Sequence, residues 1–184
     1  MRKVIAAINM TLDGFCDHTA ITPDDEIHDH YANLLKEAGV ILYGRITFGL
    51  MEYWRDIVAK PTGIKAMDDF AVTMDKVPKI VFSHTLKTVE WDSATLSNQT
   101  LEEAVAALKQ QPGKDIFIGS RSLIMQLMKL DLLDELQLCV HPVIAGAGML
   151  LFENLNQRKL LQLVHTKTMS GGAIILYYQP AKIG

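Results

Sequence analysis

Val40-Ile41-Leu42-Tyr43-Gly44-Arg45-Ile46-Thr47 and Ile116-Phe117-Ile118-Gly119-Ser120-Arg121-Ser122 carry one design twice. In each, a short apolar run, the composition of a strand buried on both faces, meets glycine and then a helix start bearing an arginine and hydroxyl residues. Strands followed by helices build a parallel sheet, and parallel sheets bind ligands beyond the carboxyl ends of their strands. Free N–H groups and the positive helix end favour anions there, while glycine lets a phosphate approach the chain. Lys79-Ile80-Val81-Phe82 repeats the strand and leads into Ser83-His84-Thr85, adding hydroxyls and an imidazole in the same topological place. These sites together predict a bound di-anion, most economically the pyrophosphate of a dinucleotide.

Outward from these junctions the pattern stays that of an α/β chain. Val4 to Asn9 reads as a buried strand, followed by a Thr11-Leu12-Asp13-Gly14 turn. Thr22-Pro23-Asp24-Asp25 predicts a helix start with Thr22 as cap, running to about Ala38 and placing Ile27, Tyr31, Leu34, Leu35 and Ala38 on one face. Lys65 to Met74 is expected to be helical. Thr100-Leu101-Glu102-Glu103 is a capping box whose helix runs through Gln111 to Pro112-Gly113. Gly119-Ser120 opens a helix to about Lys129. Glu135 to Val140 is a strand, Pro142 to Gly148 a glycine-rich loop, and Leu160 to Thr168 with Ala173 to Tyr178 a hairpin turned at Gly171-Gly172. With no repeat, linker or low-complexity tract, one domain over 1–184 is expected: a mixed, mainly parallel sheet in a three-layer α/β/α arrangement, with an antiparallel C-terminal hairpin.

Composition excludes several function classes. Eighteen Lys and Arg against 21 Asp and Glu give a formal charge of −3, which disfavours a phosphate-tracking nucleic-acid binder. Hydrophobic residues at 49% are enough to bury a core. Cys16 and Cys139 form no CxxC pattern, so neither a disulfide framework nor a zinc knuckle is expected, and a reducing cytoplasm fits. The uncharged run from Leu136 to Phe152 contains Gln137, His141, Pro142 and glycines, which suit a strand and loop better than a membrane span. Met1-Arg2-Lys3 and the apolar residues after it are cut short by Asp13 and Gly14, with no signal-peptide cleavage site. His28-Asp29-His30 offers no shared metal ligation, because residues two apart on a helix face apart. Trp54, Trp91 and the nine methionines read as packing residues. There is no P-loop, and Gly146-Ala147-Gly148 lacks the third glycine of a Rossmann fingerprint.

Ile5-Ala6-Ala7-Ile8, the Thr11-Leu12-Asp13-Gly14-Phe15 turn, Gly44-Arg45-Ile46-Thr47, Lys79 to Ser83, and Gly119-Ser120-Arg121-Ser122-Leu123 occur in an order that resembles the dihydrofolate reductase fold. Pro142-Val143-Ile144-Ala145-Gly146-Ala147-Gly148 makes the chain more similar to the reductase domain of the riboflavin-biosynthesis deaminase–reductases and their single-domain relatives. The resemblance implies NADPH as hydride donor and a homodimer. It implies the Ala7 backbone beside the nicotinamide carboxamide, and Gly44, Arg45 and Thr47 on the adenosine and pyrophosphate side. Ser83 and His84 would lie near the 2′-phosphate, with Gly119, Ser120, Arg121, Ser122 and Leu123 around the pyrophosphate.

Two departures stand out. The second glycine of the family's Gly-Gly pair is Ser120 here, where a side chain would raise the cost of any strained backbone. Second, dihydrofolate reductases carry an acid on the helix before the Gly-Arg-x-Thr segment. The corresponding positions are Ile27 or His28, with Asp29 adjacent. Asp13 and Asp29 are therefore the catalytic candidates, Asp29 as the acid adjacent to the expected donor position and Asp13 as either a turn-former or a substrate contact, with substrate held between the first strand, the Asp13 turn and the helix at 25–38. The expected activity is hydride transfer to a small heterocycle or carbonyl, as in a ribosylaminopyrimidine reductase. The alternatives are a nucleotide-binding or assembly protein without turnover, and an authentic dihydrofolate reductase.

Overall fold

Eight strands, β1 (Val4–Thr11), β2 (Ala38–Gly44), β3 (Lys79–Phe82), β4 (Ala94–Leu96), β5 (Asp115–Ile118), β6 (Glu135–His141), β7 (Leu161–Thr168) and β8 (Ile174–Pro180), form one sheet in the order β4-β3-β2-β5-β1-β6-β8-β7. This is a computed structural model, and it describes residues 1–181. Pairing is parallel from β4 through to β6, and antiparallel only where β8 joins β6 and β7. The carboxyl ends of β1, β2, β3, β5 and β6 therefore share one edge.

Alternation along the strands assigns the two faces. On β1, Val4 and Ala6 join Val105 of α5 (Leu101–Gln110) and Leu123, Ile124 and Leu127 of α6 (Arg121–Lys129). Ile5 points the other way, into a cluster with Ala32 and Leu35 of α1 (Asp25–Lys36) and Phe70 and Met74 of α4 (Lys65–Lys76). Helices α2 (Arg45–Met51) and α3 (Tyr53–Ala59) complete the cover on that side. The sheet thus has helices on both faces, as the sequence pattern predicts.

Local chemistry fixes the helix ends, in one case differently from expectation. Helix α1 is capped by Asp24, not Thr22: the Asp24 carboxylate accepts from the Ile27 N–H at 2.9 Å, and Thr22 is exposed. Asp, Ser and Thr all cap well, so the Thr22-Pro23 signal and the Asp24 signal compete within two residues. The helix also ends at Lys36, and Ala38 opens β2 instead of closing α1. The Thr100 capping box is present as read, with Thr100 and Glu103 bonding reciprocally. Helix α3 and the three-residue β4 were not anticipated. Neither has a side-chain cap or a strong period of its own, and β4 is held by β3 and by the Lys79 N–H to Ser93 carbonyl bond at 2.7 Å.

Lys79 is fully buried at the start of β3. Its ammonium donates to the carbonyls of Met74 (2.5 Å) and Val77 (2.8 Å) and to the Ser93 hydroxyl (2.7 Å), and it lies 4.0 Å from the Trp91 ring centroid. The cation satisfies carbonyls at the end of α4 and clips that helix to the β3–β4 edge. Trp91 is 3% exposed and donates to Asp75 at 2.7 Å, a packing residue as expected.

Candidate active site

Strand β1 keeps its partner β6 as far as Thr11 but loses β5 after Ala6, which pairs with Ile118. Beyond that point the chain of β5 leaves the sheet through Gly119 and Ser120. The β5-facing backbone edge of Ala7 and the residues after it therefore has no strand beside it. A strand edge with unpaired N–H and C=O groups is a template for an amide-bearing ligand.

The two strand–helix junctions close the other side of this groove. The buried N–H of Gly44 donates to Ser120 Oγ at 2.8 Å. A Cβ on Gly44 would stand 3.0 Å from Ser122 Oγ, and one on Gly119 would stand 3.3 Å from the Tyr43 ring, so both glycines permit close contact. Ser120 has φ −104° and ψ 122°, ordinary extended backbone, so the side chain in place of the family's second glycine costs no strain. Helices α2 and α6 begin here without side-chain caps, whereas α1 and α5 are capped by Asp24 and Thr100. The first N–H groups of α6 are thus left for another acceptor. Arg45 is exposed, Thr47 half-buried, and Ser122 exposed; Leu123 is 3% exposed and anchors α6 in the core. Among the described residues Arg45 has no ion pair or hydrogen bond. At the end of β3, the Ser83 hydroxyl accepts from the N–H groups of Thr85 and Leu86, shaping a turn that leaves His84 exposed.

Two of the expected site residues have other tasks. Arg121 donates to the Leu150 carbonyl at 2.5 Å and pairs with Glu153 at 2.8 Å, so its charge is spent on the 149–153 segment. Asp13 accepts from the Thr11 hydroxyl (2.6 Å) and from the N–H groups of Ala145 (3.1 Å) and Gly146 (2.7 Å). These bonds, the Thr11 one foremost, hold its pKa down to about 2, so it stays a carboxylate at neutral pH. As a carboxylate it accepts hydrogen bonds and has no proton to donate. Its role is to latch the glycine-rich loop over the end of β1. Leu12 N–H to Val143 O, Cys16 N–H to Met149 O and Leu151 N–H to Gly14 O, each 2.8 Å, complete the strap.

Asp29 is exposed on the α1 surface, with Lys65 of α4 as its charged neighbour. His28 and His30 diverge as expected: His28 packs edge-on to Trp54 and Phe70, and His30 against Tyr31. The Cys139 thiol is pushed by burial up to about 12 and is chemically quiet.

What sequence reading missed is a polar cluster between β1, β6 and α1. Asn9 Oδ1 receives the Tyr31 hydroxyl at 3.1 Å and lies 2.9 Å from His141 Nε2. A signal was available. In Glu135-Leu136-Gln137-Leu138-Cys139-Val140-His141 the apolar residues alternate with polar ones, although a strand sandwiched between helices should be apolar on both faces. Leu136, Leu138 and Val140 pack on the α6 side, and the polar row underlies α1.

The model of the RibD C-terminal domain family matches residues 2–175, nearly all of the chain. This protein belongs to the RibD C-terminal domain family. The uncharacterized protein YyaP of Bacillus subtilis (strain 168) is 34% identical over 96% of this chain and 94% of its own, and YwjB of the same organism is 27% identical over 96% and 97%. Among solved structures, a putative riboflavin biosynthesis protein from Shewanella sp. PV-4 superposes with a TM-score of 0.73 at 18% identity, covering 99% of this chain and 100% of that one. A Thermotoga maritima diaminohydroxyphosphoribosylaminopyrimidine deaminase/5-amino-6-(5-phosphoribosylamino)uracil reductase gives 0.64 at 15% identity, with 98% of this chain spanning 57% of that one. At these identities the superpositions establish the fold, which is dihydrofolate reductase-like. This chain thus has the reductase-like scaffold of the RibD C-terminal domain family.

Proposed function

We propose that this RibD C-terminal domain protein is an NADPH-dependent reductase of a small heterocycle or carbonyl compound, of the ribosylaminopyrimidine type. The observation that carries the reading is the groove between the unpaired edge of β1 after Ala6 and the joined Gly44 and Ser120 turns. The residues fit the cofactor. The Ala7 backbone offers amide partners to a carboxamide, the uncapped start of α6 offers N–H groups to a pyrophosphate, and Arg45, Thr47, Ser83 and His84 line the outer rim. NADPH when bound supplies the hydride. Asp13 keeps the 142–148 loop closed over the end of β1, Leu123 fixes the start of α6, and the loop strap limits entry of water. Isothermal titration with NADPH, then NADPH oxidation with pterins, ribosylaminopyrimidines, quinones and carbonyls, tests the reading.

A second reading, nucleotide binding without turnover, is favoured by one observation. Neither candidate acid offers a proton held in an apolar cleft, since Asp13 is held ionised and Asp29 is exposed. Binding without turnover across the panel would select it. Dihydrofolate turnover inhibited by antifolates would select an authentic folate reductase.

We further propose a homodimer through the C-terminal hairpin. Leu163 (47%) and Ile174 (41%) are exposed on the hairpin, and Leu160 (49%) is exposed beside its end. Apolar area of this kind marks an interaction surface. Among the described residues no helix is long and apolar enough to cross a membrane.

A further inference from the structure

The geometry points to Asn9 as a specificity-determining contact for the substrate, its side-chain amide donating to a carbonyl oxygen, with Tyr31 and His141 as positioning residues that lock that amide. The assignment rests on the proposed reductase reading and adds the chemical class of the group recognised. Asn9 shares a face of β1 with Ala7, two residues further along and past the end of β5. Its Oδ1 already has two partners, the Tyr31 hydroxyl at 3.1 Å and His141 Nε2 at 2.9 Å. Burial raises the Tyr31 hydroxyl well above its ordinary pKa, which keeps its proton on, and lowers that of His141, which favours the neutral ring. In its Nε2–H tautomer that ring donates to Asn9 Oδ1, with the Cys139 thiol 3.4 Å from the same nitrogen.

With the oxygen side fixed, the two N–H donors of Asn9 Nδ2 have no partner among the described residues. Nor are they sealed in: the buried side-chain atoms left without a partner among the described residues are His28 Nδ1 and Gln137 Oε1. A half-buried amide with a locked orientation and two unspent donors selects an acceptor. The carbonyl of a lactam or imide ring fits, whereas a ring amino group at the same place would set donor against donor and leave Nδ2 unpaired.

The test is a pair of probes of one shape, 5,6-diaminouracil and 2,4,5,6-tetraaminopyrimidine, titrated into the protein saturated with NADPH. The wild type is expected to prefer the uracil by about tenfold, the worth of one well-made hydrogen bond. Asn9→Asp, which presents acceptors, is expected to reverse the order. Tyr31→Phe removes one oxygen and is expected to fold normally, yet to lose most of the preference. Nitrogen-15 NMR of the His141 ring should show the Nε2–H tautomer in the wild type, and the Nδ1–H tautomer would overturn the assignment. Equal binding of the two probes, binding of neither, or an unchanged order in Asn9→Asp would also overturn it. A parallel NADPH titration separates the two claims. Failure of the wild type to bind NADPH sinks the reductase reading, whereas NADPH binding without pyrimidine preference sinks the Asn9 assignment alone.

Discussion

The amide of Gly44, last residue of β2, donates to the hydroxyl of Ser120, first residue beyond Gly119, across 2.8 Å and out of contact with solvent. One hydrogen bond thereby couples two turns that are far apart in sequence and sets the spacing between the starts of α2 and α6. Replacing Ser120 by Ala leaves the Gly44 N–H buried without an acceptor, at a cost of about 1–3 kcal/mol. Urea denaturation of Ser120→Ala should show that loss, and its NADPH affinity should fall more than that of Ser122→Ala, whose side chain is exposed. Equal stability of Ser120→Ala and wild type would show the bond to be incidental.

The Asp13 latch predicts a response to acid. Its folded pKa of about 2 lies below its ordinary value of 3.8, so its contribution is complete above about pH 4 and is lost as pH falls through 2. Half-buried His30 acts in an earlier window. Burial first, then the Lys167 charge, lower it from 6.5 to about 4, so protonation favours the unfolded chain as pH falls from 6.5 towards 4. Stability against pH should therefore decline in two stages, and His30→Phe should shrink the upper one, to which buried His141 also contributes. Asp13→Ala should make the 143–149 segment exchange amide hydrogens faster at pH 7, with the core strands unaffected.

Much of this architecture is legible in the chain because apolar runs, glycines and the Thr100 capping box are local signals. The site is less legible. The resemblance sets Arg121 beside a pyrophosphate, because nothing in its sequence neighbourhood reveals Glu153 and the Leu150 carbonyl, which reach it through the fold. Asp13 reads as a turn former or a substrate contact, and the bonds it makes to the returning 142–148 loop are invisible in its own neighbourhood. The polar row of β6 was visible in sequence, yet its meaning depends on α1 covering that face instead of water.

Lys79 predicts a large stability effect far from the groove. Lys79→Met leaves the carbonyls of Met74 and Val77 and the Ser93 hydroxyl short of a donor in the interior, and should cost about 2–4 kcal/mol. Lys65→Met, which breaks an exposed pair with Asp69, should leave the urea midpoint where it is. Comparable midpoints for the two variants would contradict the clamp.

The hairpin surface makes a prediction about assembly. Leu163→Lys combined with Ile174→Lys places charge on the exposed apolar patch and should convert a dimer to a monomer in sedimentation velocity, with the far-ultraviolet spectrum preserved. A wild-type protein that sediments as a monomer at high micromolar concentration would remove this proposal and leave the groove intact.

The central claim is that the unpaired edge of β1 and the joined Gly44 and Ser120 turns together hold a dinucleotide. Isothermal titration of NADPH into the purified protein tests it most directly. The account predicts saturable one-site binding at sub-millimolar concentration, weakened in Ser120→Ala. No binding up to millimolar NADPH, or binding indifferent to Ser120, would contradict it.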